Sequence, residues 1–398
     1  MERADPPGAY RRYLAVLAAG LALFGALAGA NALFLWRAWE ASDVARIAAR
    51  QSETGGLYGS ALHSAYFQYK FALYDLAPPE VVAVGSSRAM QIRAEMFRRP
   101  FLNLGGLMEN PREGQLVADA LLARERRPRV ALLTADFWWF NPDMPERRVF
   151  PEHAERGTEL SSDALLLPFR WLADGRVPAG LYARTLLAGL PADPDFPPAY
   201  GVRAETTRAG FTPDGAWNYW NLAYGLTPGD EGFAAGLAQI RRGSENYRHS
   251  RRFDAARWDE FVALVRRLNG AGIRVIVLNP PLAPAARAQI RAQIRDFAHL
   301  AEFRRRLAAL TVPVVDAYDD NRIAPSNCEF LDLHHAGDVV TARLLQEAAA
   351  LPFTGLNLVV DSGRLAEMAA PGERALAPSR WGGGRREVDF LNLGCAKD

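Results

Sequence analysis

Two short blocks, far apart in the chain, carry the residue types that serine-based chemistry needs. The first is Gly85-Ser86-Ser87-Arg88, directly after an apolar run, and the second runs from Asp332 to His335. A serine hydroxyl becomes a nucleophile when a histidine takes its proton, and a carboxylate usually orients that histidine. Ser87, Asp332 and His335 are therefore candidates for nucleophile, orienting carboxylate and general base, and His334 is an alternative base.

More ordinary roles stay open for both blocks. Ser86 and Ser87 have the residue type that caps helices, and the pattern predicts a helix beginning near Ala89. Asp332 and the two histidines after it could also be structural. We expect neither a metal nor another cofactor, because no further His or Cys pair completes a four-ligand shell.

The elements that position these blocks are visible as apolar runs. Residues 80–84, 101–104, 130–134, 273–278 and 312–315 are continuous enough for buried strands, and helical periodicity covers 258–268, 290–310 and 339–349. Buried strands alternating with amphipathic helices predict an α/β fold with a parallel sheet covered on both faces. Ligands of such sheets bind beyond the carboxyl ends of the strands, where Ser87 lies.

The two blocks together resemble the SGNH/GDSL hydrolase superfamily. They are similar to its membrane-anchored exported members, such as the D-alanyl transfer protein of teichoic-acid modification and the alginate O-acetylation proteins. Gly85-Ser86-Ser87 corresponds to the Gly-x-Ser block after the first strand, and Asp332-x-x-His335 to the last block. The resemblance covers about residues 80–350. It implies a three-layer α/β/α sandwich of flavodoxin-like type, with Ser87, His335 and Asp332 as the catalytic triad.

The resemblance also implies an oxyanion hole built from the serine N–H, a glycine of a second block and an asparagine of a third. The second block, at 103–108, offers Gly105 and Gly106. The third block departs from the family pattern Gly-x-Asn-Asp and leaves only Asn141. This departure weakens the expected stabilisation of the oxyanion.

Four further residues are candidates for substrate binding. Arg88 contacts either an acidic sugar or carrier, or a nearby carboxylate such as Asp136. Asn279, after the fourth strand, lines the pocket or belongs to an ordinary turn. Trp217 and Tyr219 are the best candidates for a sugar-binding platform among the many aromatic residues of this region, most of which are expected to be core.

An apolar segment near the N-terminus predicts a membrane anchor. Residues 13–36 form 24 consecutive positions without a charge, and as a helix they span about 36 Å, slightly more than the hydrocarbon core. Ala28-Gly29-Ala30 has the form of a cleavage site, so a cleaved signal peptide is the alternative. We expect an uncleaved signal anchor in a bacterial inner membrane, with the body periplasmic.

These features divide the chain into five parts. We predict a cytoplasmic N-terminus (1–12), a transmembrane anchor (13–36), a juxtamembrane stalk (37–78), a catalytic domain (79–352) with an insertion (142–252), and a C-terminal tail packed on the body (353–398). The only cysteines, Cys328 and Cys395, are too few for a disulfide scaffold. A single disulfide between them, pinning the tail, stays open.

The predicted function is the transfer of a small acyl group, most simply acetyl, to a cell-envelope polysaccharide through a serine acyl-enzyme. A membrane-embedded protein is the expected acyl donor. The alternatives are a carbohydrate O-deacetylase or esterase, and a non-catalytic glycan-binding or assembly module on the same fold. The net charge of +2 argues against a nucleic-acid partner, and 49% apolar residues exclude a disordered chain.

Overall fold

The computed structural model describes residues 7–62, 66–145, 162–370, 372–377 and 386–397. Parts of the predicted N-terminus (1–6), stalk (63–65), insertion (146–161) and tail (371, 378–385 and 398) therefore lie outside the described residues. Within the described ranges the chain forms nine β-strands and fourteen α-helices, named here in chain order.

The strands are β1 (Leu57–Tyr58), β2 (Val81–Gly85), β3 (Phe101–Gly105), β4 (Val130–Thr134), β5 (Ala199–Tyr200), β6 (Gly210–Phe211), β7 (Trp217–Asn218), β8 (Arg274–Asn279) and β9 (Val314–Asp316). The helices are α1 (Pro7–Arg37), α2 (Val44–Thr54), α3 (Tyr66–Leu76), α4 (Pro111–Leu122), α5 (Ser162–Ala173), α6 (Ala179–Ala188), α7 (Val202–Thr207), α8 (Trp220–Ala223), α9 (Ala234–Arg242), α10 (Ala255–Gly270), α11 (Pro284–Ala292), α12 (Ala298–Ala308), α13 (Asp338–Ala350) and α14 (Ser362–Met368).

A five-stranded parallel sheet forms the centre of the protein. Its order is β3-β2-β4-β8-β9, and each of these strands begins within two residues of its predicted start. Every residue of β2, β3 and β4 is buried, which is why these strands are continuously apolar rather than alternating. The predicted mixed α/β fold with a parallel sheet is confirmed.

The strand order explains where a site belongs. From β2 the chain crosses to β3 on one side of the sheet. From β4, which pairs with the other edge of β2, the chain crosses to β8 in the opposite direction. The loops after β2 and β4 therefore lead in different directions and leave a crevice at the carboxyl edge. Ser87 lies two residues beyond the end of β2.

The segment predicted to be a stalk is folded into the body instead. Helices α2 and α3 pack against each other, and β1 joins a second sheet of order β5-β1-β6-β7 with strands of the insertion. Tyr69 and Tyr74 of α3 are fully buried in the main core. The cause is that α2 and α3 carry apolar side chains that can be buried only against other parts of the chain.

The tail lies against the loop that carries the candidate histidines. Cys395 is disulfide-bonded to Cys328, and the Lys397 ammonium donates to the Cys328 carbonyl at 2.8 Å. The backbone of Ala375 crosses so close to Gly337 that a Cβ added there would lie 2.0 Å from the Ala375 oxygen. The disulfide thus fixes the tail where it covers the segment after His335.

Removing this disulfide is expected to destabilise the protein by about 2 to 4 kcal/mol, because its 67-residue separation leaves a long loop open in the unfolded chain. Urea unfolding of Cys328→Ser/Cys395→Ser against the oxidised parent measures the change. The parent in excess reductant is the control and should unfold like the double variant. Equal unfolding midpoints for the oxidised parent and the variant would contradict the prediction.

Helix α1 contains the predicted anchor. Its stretch Tyr10–Arg37 is long and apolar enough to span a membrane. Most of this stretch is exposed, as the side chains of a lipid-facing helix are.

Candidate active site

The nucleophile candidate opens a tight turn directly after β2. Gly85 has φ = +148°, and a Cβ there would lie 1.9 Å from the Thr134 hydroxyl, so this position requires glycine. Ser87–Ala89 forms a single 3-10 turn, which Ser86 caps by accepting a hydrogen bond from the Arg88 N–H at 3.2 Å. Ser86 therefore has the capping role, and the Ser87 side chain remains available.

The helix predicted from Ala89 does not form. The Asn103 amide donates to the carbonyls of Ala89 and Ile92 at 2.8 and 2.7 Å, and the Trp217 N–H donates to the Met90 carbonyl at 3.1 Å. Since these carbonyls already have partners from other strands, the chain turns away instead of continuing as a helix.

Ser87, His335 and Asp332 form a continuous hydrogen-bonded relay. The distance from Ser87 Oγ to His335 Nε2 is 2.7 Å, and that from His335 Nδ1 to Asp332 Oδ2 is 2.6 Å. A neutral imidazole protonated on Nδ1 donates to the carboxylate and leaves Nε2 to accept from the serine. Ser87 and His335, 248 positions apart in the chain, meet because both loops lie at the same edge of the sheet.

The backbone of the histidine loop fixes the carboxylate. Asp332 Oδ1 accepts the N–H groups of His334 and His335, both at 2.8 Å. The Leu331 N–H in turn donates to the His335 carbonyl at 2.9 Å, which closes the loop. The Asp332 carboxylate is therefore oriented before any ligand binds.

The environment separates the pKa values within the relay. Burial favours the neutral form of Asp332, but the two imidazoles and the hydrogen bond from His335 outweigh it and hold the pKa of Asp332 well below its usual range. Burial also opposes a charge on His335, yet the Asp332 carboxylate outweighs burial and raises the pKa of His335 above its usual value. His335 is thus a stronger base than a free histidine.

His334 has a different environment from its neighbour. Its Nδ1 lies 3.2 Å from the Tyr247 hydroxyl, and its ring is edge-on to Trp138 at 5.7 Å between centroids. Burial lowers the pKa of His334 to about 3, although Asp332 acts in the opposite direction. His335, rather than His334, is therefore the ring that the structure brings to Ser87.

The three predicted oxyanion residues are already engaged. The Gly105 N–H donates to the Asn103 side chain at 2.7 Å, and the Gly106 N–H donates to the carbonyls of Gly85 and Ser86. Asn141 is fully buried, and its amide donates to the Arg248 carbonyl at 2.6 Å. The Ser87 N–H, for which we find no acceptor among the described residues, is the donor that remains for an oxyanion.

Arg88 is a structural cation rather than an exposed ligand contact. Its guanidinium pairs with Asp136 at 2.7 Å, and the two side chains are 1% and 0% exposed. Its other N–H groups donate to the carbonyls of Pro280, Pro281 and His334. The salt bridge to Asp136, one of the two roles considered from the sequence, is the one found. Arg88 joins the loops after β2, β4 and β8 to the histidine loop.

Replacing Arg88 with methionine is expected to destabilise the protein by about 3 to 5 kcal/mol, because the Asp136 carboxylate stays buried without its cation. Urea unfolding measures this loss. Arg88→Met/Asp136→Asn should recover part of it, since the orphaned charge is then removed. Arg50→Met, in the exposed Arg50–Glu53 pair, is the matched control and should leave the unfolding midpoint almost unchanged. Equal midpoints for Arg88→Met and the control would contradict the prediction.

Two more buried cations hold the site, and sequence reasoning missed both. Arg93 pairs with Asp338 at 2.8 Å and so links the serine turn to the start of α13. Lys70 is fully buried and donates to the Gly105 carbonyl, and burial lowers the pKa of Lys70 to about 7. The rarity of lysine is a sequence signal that could have pointed to Lys70, since this chain has only one other lysine.

The other three candidates for substrate binding have different surroundings in the structure. The Tyr219 ring lies 6.1 Å from the His335 ring, so it borders the relay. The Trp217 ring packs edge-on against Phe211 at 4.8 Å and belongs to the second sheet. Asn279 is fully buried and donates to Asp316 at 2.8 Å, which gives it a structural role at the end of β8.

A narrow cleft opens at the carboxyl edge between the segments that follow β3 and β4. Its walls include Asn110, Trp138 and Trp139, and its free volume is about 40 Å³, which is room for a few water molecules. Trp138 also contacts His334 and lies 5.3 Å from the Arg88 guanidinium. The cleft therefore shares a wall with the residues around the relay.

Among the described residues, two groups of side chains have donor atoms close enough to hold a metal ion. Asp332, His334 and His335 lie within 4.8 Å of one another, but both nitrogens of His335 already bond to Ser87 and Asp332. Cys328 and Cys395, beside Glu373, are joined in the disulfide and offer no thiolate. A metal at the first group would have to break the relay.

The chain has no significant match among protein-family models, curated proteins or solved structures. The geometry of the relay is therefore the basis on which a function can be assigned.

Proposed function

We propose that this protein is a serine-dependent acyltransferase of the SGNH type. It would move a small acyl group, most simply acetyl, to a cell-envelope polysaccharide. The observation that carries the proposal is the relay from Ser87 through His335 to Asp332, with distances of 2.7 and 2.6 Å. Such a relay activates a hydroxyl for acyl chemistry.

The proposed reaction has two steps, acylation of Ser87 and transfer of the acyl group to the acceptor. Ser87 Oγ attacks the acyl carbonyl, its proton passes to His335 Nε2, and the collapsing intermediate releases the donor's oxygen, which takes that proton. An acceptor hydroxyl then attacks the acyl-serine, gives its proton to His335, and leaves as the new ester while Ser87 regains its hydrogen. Asp332 stabilises the imidazolium in both steps.

The proposal also includes the layer arrangement of the fold and the cellular location of the protein. The strand order β3-β2-β4-β8-β9 is one of the common doubly wound orders, and it supports the three-layer SGNH sandwich. The Cys328–Cys395 disulfide supports an oxidising compartment, and thus a periplasmic body behind an inner-membrane anchor.

Anchoring favours transfer over hydrolysis. A site tethered to the bilayer has a raised effective concentration toward a membrane-embedded acyl donor. Hydrolysis by a carbohydrate O-deacetylase or esterase is the second candidate. It is favoured by the accessibility of the nucleophile, because Ser87 is only half-buried.

The fate of the acyl group tests the proposal. The full-length protein in detergent is given an activated acetyl ester, with and without de-O-acetylated envelope oligosaccharides, and products are followed by mass spectrometry. Acetylated oligosaccharide formed at the expense of free acetate supports transfer. Acetate release unaffected by every acceptor supports the esterase. Failure of the wild type to turn over the ester or to react with a serine-directed phosphonate supports the non-catalytic module.

A further inference from the structure

Helices α5 and α6 pack against the carboxyl-terminal end of α1. The Phe34 ring of α1 stacks on Tyr182 of α6 with 4.7 Å between centroids. Trp171 of α5 and Leu181 of α6 are buried with Phe34 and Leu35 in a cluster separate from the main core. The last turns of the predicted anchor are therefore attached to a pair of helices from the insertion.

Polar contacts fix this attachment. Asn31, the one strongly polar residue of the apolar span, donates from its amide to the Leu165 carbonyl at 2.6 Å and accepts from the Tyr182 hydroxyl at 2.7 Å. At the end of α1 the Arg37 guanidinium donates to the Leu187 carbonyl. Residues 31–37 are thus held by the α5–α6 pair along about 10 Å of helix.

The length of α1 sets the depth of these contacts. If residues 31–37 are held by the body and Arg11 and Arg12 stay outside the hydrocarbon, Tyr13 to Ala30 remain to cross it. These 18 residues span about 27 Å, slightly less than the thickness of the hydrocarbon core of about 30 Å. Residues 31–37, and with them α5 and α6, then lie at the level of the lipid headgroups.

The α5–α6 pair exposes the side chains that such a position needs. Leu187 is 81% exposed, Leu166 43% and Phe169 36%, and Trp36 beside them on α1 is 51% exposed. The guanidinium-bearing Arg170 is exposed on the same helix as Phe169. Apolar side chains with neighbouring arginines are typical of helices in the membrane interface, where tryptophan is also enriched.

We propose that α5 and α6 lie in the interfacial region of the bilayer and seat the body directly on the membrane. The chain supports this because Ala38 and Glu40, just after α1, are fully buried, so no free linker separates anchor and body. Glu40 accepts hydrogen bonds from the backbone of Ala61 and Val202, which ties the exit of α1 to α7. The proposal rests on α1 crossing the membrane and is independent of the chemistry of Ser87.

Single-cysteine probes on the full-length protein in phosphatidylcholine/phosphatidylglycerol vesicles test it. The two native cysteines are joined, so Leu187→Cys and Leu166→Cys can be labelled with the environment-sensitive fluorophore NBD. Leu358→Cys, in an exposed turn packed against α13, and Leu116→Cys, on α4, are matched controls. Headgroup-level doxyl lipids should quench the probes on α5 and α6 about twofold or more beyond the controls.

A probe at Leu21, within α1, separates the proposal from its premise. Quenching at Leu21 by lipids that carry the doxyl group deep in the acyl chain, together with water-like emission at Leu187 and Leu166, would overturn the seating of α5 and α6 while leaving the anchor intact. Absence of quenching at Leu21 would overturn the premise and the proposal together. Neither outcome bears on acyl transfer, since the site's reaction with the phosphonate is measured separately.

Discussion

Ser87→Ala is expected to lower kcat/KM for an activated acetyl ester by about 10³- to 10⁶-fold, since the acyl-enzyme can no longer form. The loss should be catalytic rather than structural, because Ser87 is half-buried and its Oγ bonds to His335 alone among the described residues. Initial rates and the mass of a phosphonate adduct measure it. Urea unfolding should show nearly unchanged stability.

Ser86→Ala is the matched control for this prediction. Ser86 is 1% exposed and caps the turn through Arg88, so its loss should cost about 1 kcal/mol of stability. Its adduct and most of its rate should persist. Labelling that survives in Ser87→Ala but disappears in Ser86→Ala would show that Ser86, and not Ser87, is the nucleophile.

Local patterns were sufficient for the sheet and for the two ends of the relay. Strands β2, β3 and β4 of the central sheet are buried on both faces, so each is visible as an apolar run in the sequence. Parallel strands bring their carboxyl ends to one edge, which places Ser87 at that edge. That the loop of His335 meets Ser87 there was implied by the resemblance to the SGNH/GDSL superfamily. Ser87 follows β2 and His335 precedes α13, and both of these elements have a clear sequence pattern.

The partners of individual polar groups could not be predicted in the same way. Whether Gly105 and Gly106 offer free N–H groups depends on the Asn103 side chain and on the Gly85 carbonyl. Whether Arg88 meets a substrate or Asp136 depends on loops 48 and 246 residues away. Such contacts are set by tertiary packing and leave no periodic trace in the sequence.

The stalk failed as a prediction for a related reason. Residues 37–78 have mixed composition, and α3 is apolar around most of its circumference. Its burial depends on short strands of the insertion that pair with β1. Two-residue strands are too short to show an alternating pattern, so neither β1 nor the strands that pair with it could be predicted from the sequence.

The second large effect is expected at His335. His335→Asn should lower kcat/KM by about 10⁴- to 10⁶-fold, because Ser87 loses the base that takes its proton. His334→Asn is the matched control: its ring bonds to Tyr247 and lies beside Trp138, so this variant should retain most of the activity. The reverse ranking of the two variants would make His334 the base.

The pH dependence distinguishes a base from a structural histidine. His335 must be neutral to accept the proton, and Asp332 raises the pKa of His335 above its ordinary value of 6.5. The rate should therefore fall as the pH drops through that raised pKa, which belongs to the Asp332–His335 pair. His334, with its pKa near 3, stays neutral throughout this range and contributes no such limb.

Asp332→Asn should then do two things that a structural role would not combine. The rate should drop by about 10⁴-fold, because the imidazole loses its orienting acceptor and its tautomer. The acid limb of kcat/KM should also move to lower pH, since the carboxylate that raises the pKa of His335 is gone. A rate profile measured from pH 4 to pH 9 records both. An acid limb that stays in place in Asp332→Asn would mean that another group titrates, and the relay would then not be the source of the activity.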